Sequence, residues 1–362
     1  MKYYSLKKIK EKNADYNLII GERSNGKTYS CKKEICENAW NNKTDGAIIR
    51  RYEEDFKGKR GQKLFKDLVE NGEVERITGG VYNNVIYRSM MWFFARTDVN
   101  AETGETETLQ AQEPFCYGFA LSSTEHDKST TYPNIQTVVF DEFLTRDRYL
   151  VDEFVLFMNT LSTIIRQRDG VKIYMLGNTV NRYSPYFVEM GLTNVKNQQP
   201  NTIDVYTYGE SGLTVAVEMC GEHLKHKKKS NKYFAFNNPK LEMITGGKWE
   251  IDIYPHLEKK YKPKNIMLSY FIEFDGEMLQ CDIVSLDGEQ FTFIHRKTTP
   301  VKNYNDIVFS PTVSSNPNRY VRINRPVNRL TEKIYQFYKR DKVFYQDNEV
   351  GEIVRNYLKN CG

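Results

Sequence analysis

Residues 21–28 read Gly-Glu-Arg-Ser-Asn-Gly-Lys-Thr, and no other octapeptide of the chain narrows its possible folds so far. The run satisfies G-x4-G-K-[ST] at every position. It lies between a short apolar run, Tyr16–Gly21 (YNLIIG), and a polar stretch of helical character, Tyr29–Trp40, the strand–loop–helix setting that the motif requires. In that setting the two glycines let successive backbone N–H groups turn inward onto phosphate oxygens, and the following helix adds its positive end. Gly21, Glu22, Arg23, Ser24, Asn25, Gly26, Lys27 and Thr28 are therefore expected to cradle a nucleotide such as ATP. Lys27 reaches the β and γ phosphates, and the Thr28 hydroxyl ligates Mg²⁺.

A phosphate loop by itself does not separate a hydrolase from a small-molecule kinase. The run Val138-Val139-Phe140-Asp141-Glu142 does more. A strand ending on the same edge brings Asp141 to the Mg²⁺ shell and Glu142 one step nearer the γ phosphate, where it can orient and deprotonate a water that a kinase does not need. Asn178 follows a third apolar strand, Lys172–Leu176, and at that edge an amide could hold the lytic water or report γ-phosphate loss; a plain turn is the competing reading. Arg166 and Arg168, in IIRQRDG, close the helix before this strand. Either could enter a neighbouring subunit's site and neutralise charge on the transferred phosphoryl group, or simply complement a helix C-terminus.

The remaining chain sets the frame. At 362 residues it suits two domains of about 150 residues each. No apolar run approaches the ~20 residues of a membrane span, so no membrane partner is expected. The six cysteines form no C-x-x-C pair and read as free thiols of the core. A net charge of +5 is modest, yet His223–Lys264 carries eleven lysines against four acids. Within it, Lys225, Lys227, Lys228, Lys229 and Lys232 suit contact with a DNA phosphate backbone, with a solvated linker as the alternative. The organisation expected is an N-terminal α/β domain over 1–222, a basic hinge over 223–264 and a second domain over 265–362. Strands are expected within Val74–Phe94 and Phe115–Leu121, a helix in the second half of Glu53–Glu70, and a polar surface loop over Asp98–Glu113. The second domain should open with a meander turning at Asp275-Gly276 and Asp287-Gly288. Its acids, Glu273, Asp275, Glu277, Asp282 and Asp287, make a poor two-metal nuclease pattern, because Asp275 and Asp287 are better explained as turn residues.

Taken together, the phosphate loop, Arg50-Arg51-Tyr52, Lys128-x3-Tyr132-Pro133-Asn134, VVFDEF and the Arg166–Asn178 stretch resemble the DNA packaging ATPases, or DNA encapsidation proteins, of the phi29-like tailed phages. The likeness is strongest over Tyr16–Phe187. It implies an N-terminal P-loop NTPase domain of the ASCE/RecA-like kind and an α+β C-terminal domain of RNase H-like fold that has lost its nuclease acids. It further implies a homo-oligomeric ring, usually a pentamer, docked on the portal of an empty prohead in the cytoplasm of the infected bacterial host. There it drives double-stranded DNA inward with ATP, and it is not expected in the mature virion. A structural RNA on the prohead is an implied further partner. Carried over, the resemblance makes Lys27 and Thr28 phosphate and metal contacts, Asp141 the metal-associated acid and Glu142 the catalytic base. Arg166 becomes the trans finger and Lys128 a second candidate cationic contact to the nucleotide at the subunit interface. The alternative is a helicase or recombinase-type ATPase with the same first-domain chemistry.

Overall fold

The computed structural model describes residues 4–100, 104–123, 131–209, 211–221, 249 and 252–361. The chain divides into two compact units, Met1–Trp249 and Glu250–Gly362. The first is built on one sheet whose strands are β1 (Tyr16–Gly21), β2 (Asp45–Arg50), β3 (Asn84–Arg88), β4 (Met91–Val99), β5 (Thr106–Gln110), β6 (Cys116–Ala120), β7 (Ile135–Asp141), β8 (Lys172–Asn178), β9 (Thr202–Tyr208) and β10 (Leu213–Met219). Their order is β3-β4-β6-β2-β7-β8-β1-β10-β9, with β5 paired to β4. The stretch from β6 to β10 in that order is parallel throughout. Antiparallel strands close both sides, β4 against β6 and β9 against β10.

Parallel strands covered on both faces need apolar residues at consecutive positions, and these have them. Alternation then sorts the side chains. Leu18, Ile20, Val138 and Phe140 share one core with Phe157 and Leu161 of the helix Glu153–Ile165. Ile19, Ile48, Val139 and Leu176 share the other with Cys31 and Ile35 of the helix Lys27–Asn42. The sheet order seats β8 between β1 and β7, so the strand carrying the phosphate loop and the strand carrying Asp141 are each hydrogen-bonded to a common neighbour.

Several local expectations give way. Val74 lies in a helix, Glu73–Ile77, rather than a strand. The second half of Glu53–Glu70 is helical as expected, but in two short pieces, Lys59–Lys63 and Lys66–Glu70, after a turn of 3-10 helix at Glu53–Asp55. The chain must pass tightly at Gly61, where a Cβ would fall 2.4 Å from the Phe56 carbonyl oxygen. The expected loop Asp98–Glu113 is largely a hairpin of β4 and β5. Its residues Thr106–Gln110 are polar apart from the exposed Leu109, which hides the period-2 signal; Thr97 and Thr108 face each other across it with hydroxyl oxygens 3.2 Å apart. Strands β9 and β10 had no counterpart in the sequence expectations, although Val215–Val217 of β10 is buried beside β1.

The second unit holds a six-stranded sheet. Its meander is β11 (Ile266–Phe274), β12 (Glu277–Leu286) and β13 (Glu289–Arg296). Both turns take positive φ at their Asp-Gly pairs, 54° and 77° at Asp275 and Gly276, 52° and 80° at Asp287 and Gly288, as two-residue hairpins with the right-handed strand twist require. Strand β14 (Val308–Phe309) runs parallel to β11, β15 (Arg319–Tyr320) parallel to β14, and β16 (Val343–Tyr345) parallel to β13. The helices Arg329–Lys339 and Asn348–Asn360 start at side-chain caps from Asn328 and Asp347. They bury Ile334, Ile353 and Tyr357.

Four of the five acids noted in the sequence have different partners. Glu273 pairs with Arg319 at 2.8 Å, Glu277 with Arg296 at 2.7 Å and Asp287 with Lys259 at 3.2 Å. Buried Asp282 accepts from Ser269, Gln280, Tyr261 and His295 at 2.7–3.4 Å. Among the described residues no group of three or more His, Cys, Asp or Glu could hold a metal ion.

Candidate nucleotide site

Four strand tips meet at one edge of the first sheet. Gly21 ends β1 opposite Asn178 of β8, Leu176 lies opposite Asp141 of β7, and Ile49, the residue before Arg50, lies opposite Phe140. The loop from Glu22 to Gly26 rises from this edge with φ of +59° at Ser24 and +96° at Gly26, and the helix Lys27–Asn42 leaves from it. Gly21 is glycine for want of room: a Cβ there would fall 2.6 Å from Cys220 Cβ. The loop and tips enclose a pocket of about 580 Å³ lined by Arg23–Tyr29, Asp141, Glu142 and Asn178, and also by Arg51 and Leu144–Asp147.

Within it, Lys27 Nζ donates to the carbonyls of Gly21 (3.2 Å) and Glu22 (2.7 Å) and to Asn178 Oδ1 (3.3 Å). Asn25 Oδ1 accepts from the Lys27 N–H at 3.1 Å. Burial pushes the Lys27 ammonium down to about 8, against opposing effects of Cys220, Asp141 and Glu22. The Thr28 hydroxyl donates to Asp141 Oδ1 at 3.0 Å, so the two residues expected at Mg²⁺ stand side by side. Arg50 bonds the other oxygen of Asp141 and reaches Glu142 Oε2 at 3.3 Å. Glu142 has φ of +63°, and its side chain is 61% exposed, pointing into the open part of the site.

Lys27, Thr28, Asp141, Glu142 and Asn178 are thus gathered in one place. The two arginines part company. Arg166 caps the helix Glu153–Ile165 at φ +42° and is exposed, away from the residues lining this pocket. Arg168 turns back into its own unit, donating to the carbonyls of Tyr132, Pro133, Ile135, Ile164 and Ile165 at 2.7–3.1 Å. That guanidinium is committed to backbone and is not disposed as a finger. Lys128, Lys225, Lys227, Lys228, Lys229 and Lys232 lie outside the described residues.

Other participants escaped the sequence reading. Arg50 and Arg51 were legible as a pair at the end of an apolar strand, yet their contacts to Asp141 and to the Glu142 backbone follow only from the sheet order. The segment before β1 braces the loop: the Tyr4 N–H donates to the Asn25 carbonyl at 3.1 Å, Ser30 Oγ to the Tyr4 carbonyl at 2.7 Å, and the Tyr4 hydroxyl to Glu218 at 2.6 Å. No motif marks that segment. A second basic stretch also lies between Arg319 and Lys342, with eight Lys or Arg against Glu332 and Asp341; interspersed apolar residues hide it from a search for lysine runs.

Known proteins resemble this chain in sequence and fold. The DNA packaging protein of Bacillus phage B103 is 26% identical over 195 residues, 51% of this chain and 50% of that protein. The DNA packaging protein of Bacillus phage phi29 is 33% identical over 91 residues, 24% of this chain and 27% of that one. The matched segments thus span half or less of these relatives. Two solved structures share the fold along nearly the whole chain. The bacteriophage phi-29 viral genome packaging motor assembly has a TM-score of 0.57 at 17% identity, covering 99% of both chains. The phi-28 gp11 DNA packaging motor has a TM-score of 0.53 at 16%, covering 99% of this chain and 98% of that one. The family model for the podovirus DNA encapsidation protein (Gp16) matches residues 111–337, a span that takes in the Asp-Glu strand tip, Asn178 and most of the second unit, and the chain belongs to that family.

Proposed function

We propose that the chain is the ATP-hydrolysing motor that moves double-stranded viral DNA into a preformed prohead through its portal. The observation that carries this is the convergence of Lys27, Thr28, Asp141, Glu142 and Asn178 at one sheet edge in a member of the encapsidation family. In the proposed reaction Lys27 and the loop N–H groups grip the β and γ phosphates, and Asn178, already bonded to Lys27, senses the γ end. Glu142, facing open space beside them, takes the proton of the attacking water.

Thr28 and Asp141 fit Mg²⁺, which is content with one or two protein oxygens beside phosphate and water; when bound, it would neutralise charge between the β and γ oxygens. Arg166, exposed at a helix end, is suited to act on a neighbouring subunit of a homo-oligomeric ring, which we take to be a pentamer. Lys128 is a second candidate at that interface. We assign DNA contact to the basic segment around Lys225–Lys232. We assign an RNase H-like fold to the second unit, in support of which its meander is followed by a strand parallel to the first strand of the meander. The engagement of Glu273, Glu277, Asp282 and Asp287 with different partners favours a domain that binds rather than cuts. The portal, the DNA and a structural RNA of the prohead are the partners proposed, at the portal vertex within the infected host cell.

The test is Glu142→Gln. ATP binding should persist while DNA-stimulated turnover falls by roughly 10² to 10⁴; unchanged turnover would remove the catalytic assignment. Strand separation by the wild-type protein, in the absence of proheads, would favour a helicase instead.

A further inference from the structure

We propose that Arg51 is a positioning residue for Glu142, acting through the backbone and held in place by Glu153; the inference rests on Glu142 being the general base. Arg51 follows β2 and is only 7% exposed. Its Nε and Nη2 engage the two oxygens of Glu153 at 2.8 and 2.9 Å. The remaining donors go to two successive peptide carbonyls, Glu142 at 3.2 Å and Phe143 at 2.9 Å. Glu153, wholly buried, is itself fixed by the Tyr186 hydroxyl and the Leu150 N–H, each at 2.8 Å.

This geometry answers a problem at the strand tip. Glu142 has a left-handed backbone, φ +63°, which a residue with a β-carbon rarely adopts. The bend leaves the Glu142 carboxylate largely exposed, with its own carbonyl and that of Phe143 turned to Arg51. Arg51 supplies the donors that those carbonyls need, and its planar fork can serve two carbonyls and a carboxylate together, as one ammonium cannot. Arg50 is different in kind, since it touches the carboxylates of Asp141 and Glu142 themselves. The helix that begins at Glu153 ends beside Arg168, whose guanidinium holds the carbonyls of Tyr132, Pro133 and Ile135 where β7 begins. The strand delivering Asp141 and Glu142 is therefore fastened at both ends to a single helix.

The experiment uses the full chain with Arg51→Lys, and with Glu153→Gln as a second variant that keeps the volume of the site; whichever melts cooperatively is read. Single-turnover ATP hydrolysis should fall by about 10- to 100-fold, the scale of a misplaced catalytic group, while affinity for a fluorescent ATP analogue changes by less than about twofold. Placed on Glu142→Gln, either substitution should cost nothing further, because no base is left to orient. Wild-type hydrolysis by a folded variant, a loss that adds in full to that of Glu142→Gln, or an affinity loss equal to the rate loss would each overturn the proposal. Wild-type hydrolysis by Glu142→Gln alone would instead show that the base was misassigned, and the two failures are told apart by that single variant.

Discussion

Affinity for ATP should weaken as pH rises past about 8, because that is where Lys27 gives up its proton. The side chain is 5% exposed, and burial is the largest influence on it, outweighing the attraction of Cys220, Asp141 and Glu22. A lysine in water titrates near ~10.4, so the free site holds its charge reluctantly. A triphosphate beside the ammonium restores that charge and raises the pKa in the complex. The sign follows: above the free-state value, binding must draw a proton from solution, and affinity falls with pH. With a free pKa of about 8, the charged fraction is roughly one half at pH 8 and one eleventh at pH 9, so the apparent Kd rises about twofold and then about elevenfold. Titration calorimetry in two buffers of different ionisation heat, from about pH 7.5 to 10, reads this directly, since the phosphates of ATP are by then ionised. Proton uptake should approach one per nucleotide near pH 9. Lys27→Arg should bind more weakly but with a flat profile, because a guanidinium does not titrate there. Constant wild-type affinity to pH 10, or proton uptake that survives in Lys27→Arg, would refute the reasoning.

Mixing Glu142→Gln protein with Arg166→Ala protein should restore part of the ATP hydrolysis that each lacks, since an intact pocket can then meet an intact arginine; silence in assembled mixed rings would assign Arg166 a structural part. Neutralising Lys227, Lys228 and Lys229 together should flatten the salt dependence of duplex binding by about 0.9 in the log–log slope per lost phosphate contact, and an unchanged slope would return the segment to a solvated linker. In the second unit, the Asp282 hydrogen bond raises His295, a larger influence than the burial that opposes it. Burial raises the Asp282 carboxyl, but hydrogen bonds from His295, Gln280, Ser269 and Tyr261 outweigh it and hold the group well below the usual carboxylate range. The stability from His295 is complete below about pH 6.5 and is lost as pH rises through its folded value, whereas that from Asp282 is present above about pH 3.9 and is lost as pH falls. Asp282→Asn should return the His295 titration, followed by NMR, toward its ordinary value; an unmoved curve would refute the pairing.

Residues whose placement depends on local spacing were legible in the sequence. The phosphate loop is contiguous, and β1, β7 and β8 are apolar runs that end at the residues they deliver. The Asp-Gly hairpins were equally plain, because turn chemistry acts within two residues. What resisted reading depends on strand order. Nothing in Arg50-Arg51 says that β2 lies beside β7 and so brings one guanidinium to carboxylates and the other to carbonyls 91 and 92 residues away. Arg168 looked interchangeable with Arg166 because both follow one helix; only the register of β7 shows that one is spent on the backbone. Strand β5 and the β9–β10 pair escaped for opposite reasons, the first because it is exposed and polar but for Leu109, the others because β10 sits beside β1 only by virtue of a connection that crosses the sheet.

The placement of β8 between the loop strand and the Asp-Glu strand has a consequence for how the site could change. Neighbouring strands lie about 4.8 Å apart, so the distance from the tip of β1 to the acidic pair is two ladder spacings, fixed by backbone hydrogen bonds that are indifferent to side-chain identity. Gly21, Asn178 and Asp141 behave as three fittings on a ruled frame. Asn178 and Asp141 can be exchanged without altering the gauge, Gly21 cannot because a Cβ there would meet Cys220, and a one-residue slip of β8 would displace its own fitting and its bonds to both neighbours at once. Variation in chemistry is thereby confined to the tips, and variation in cleft width would require a change in the order of the strands.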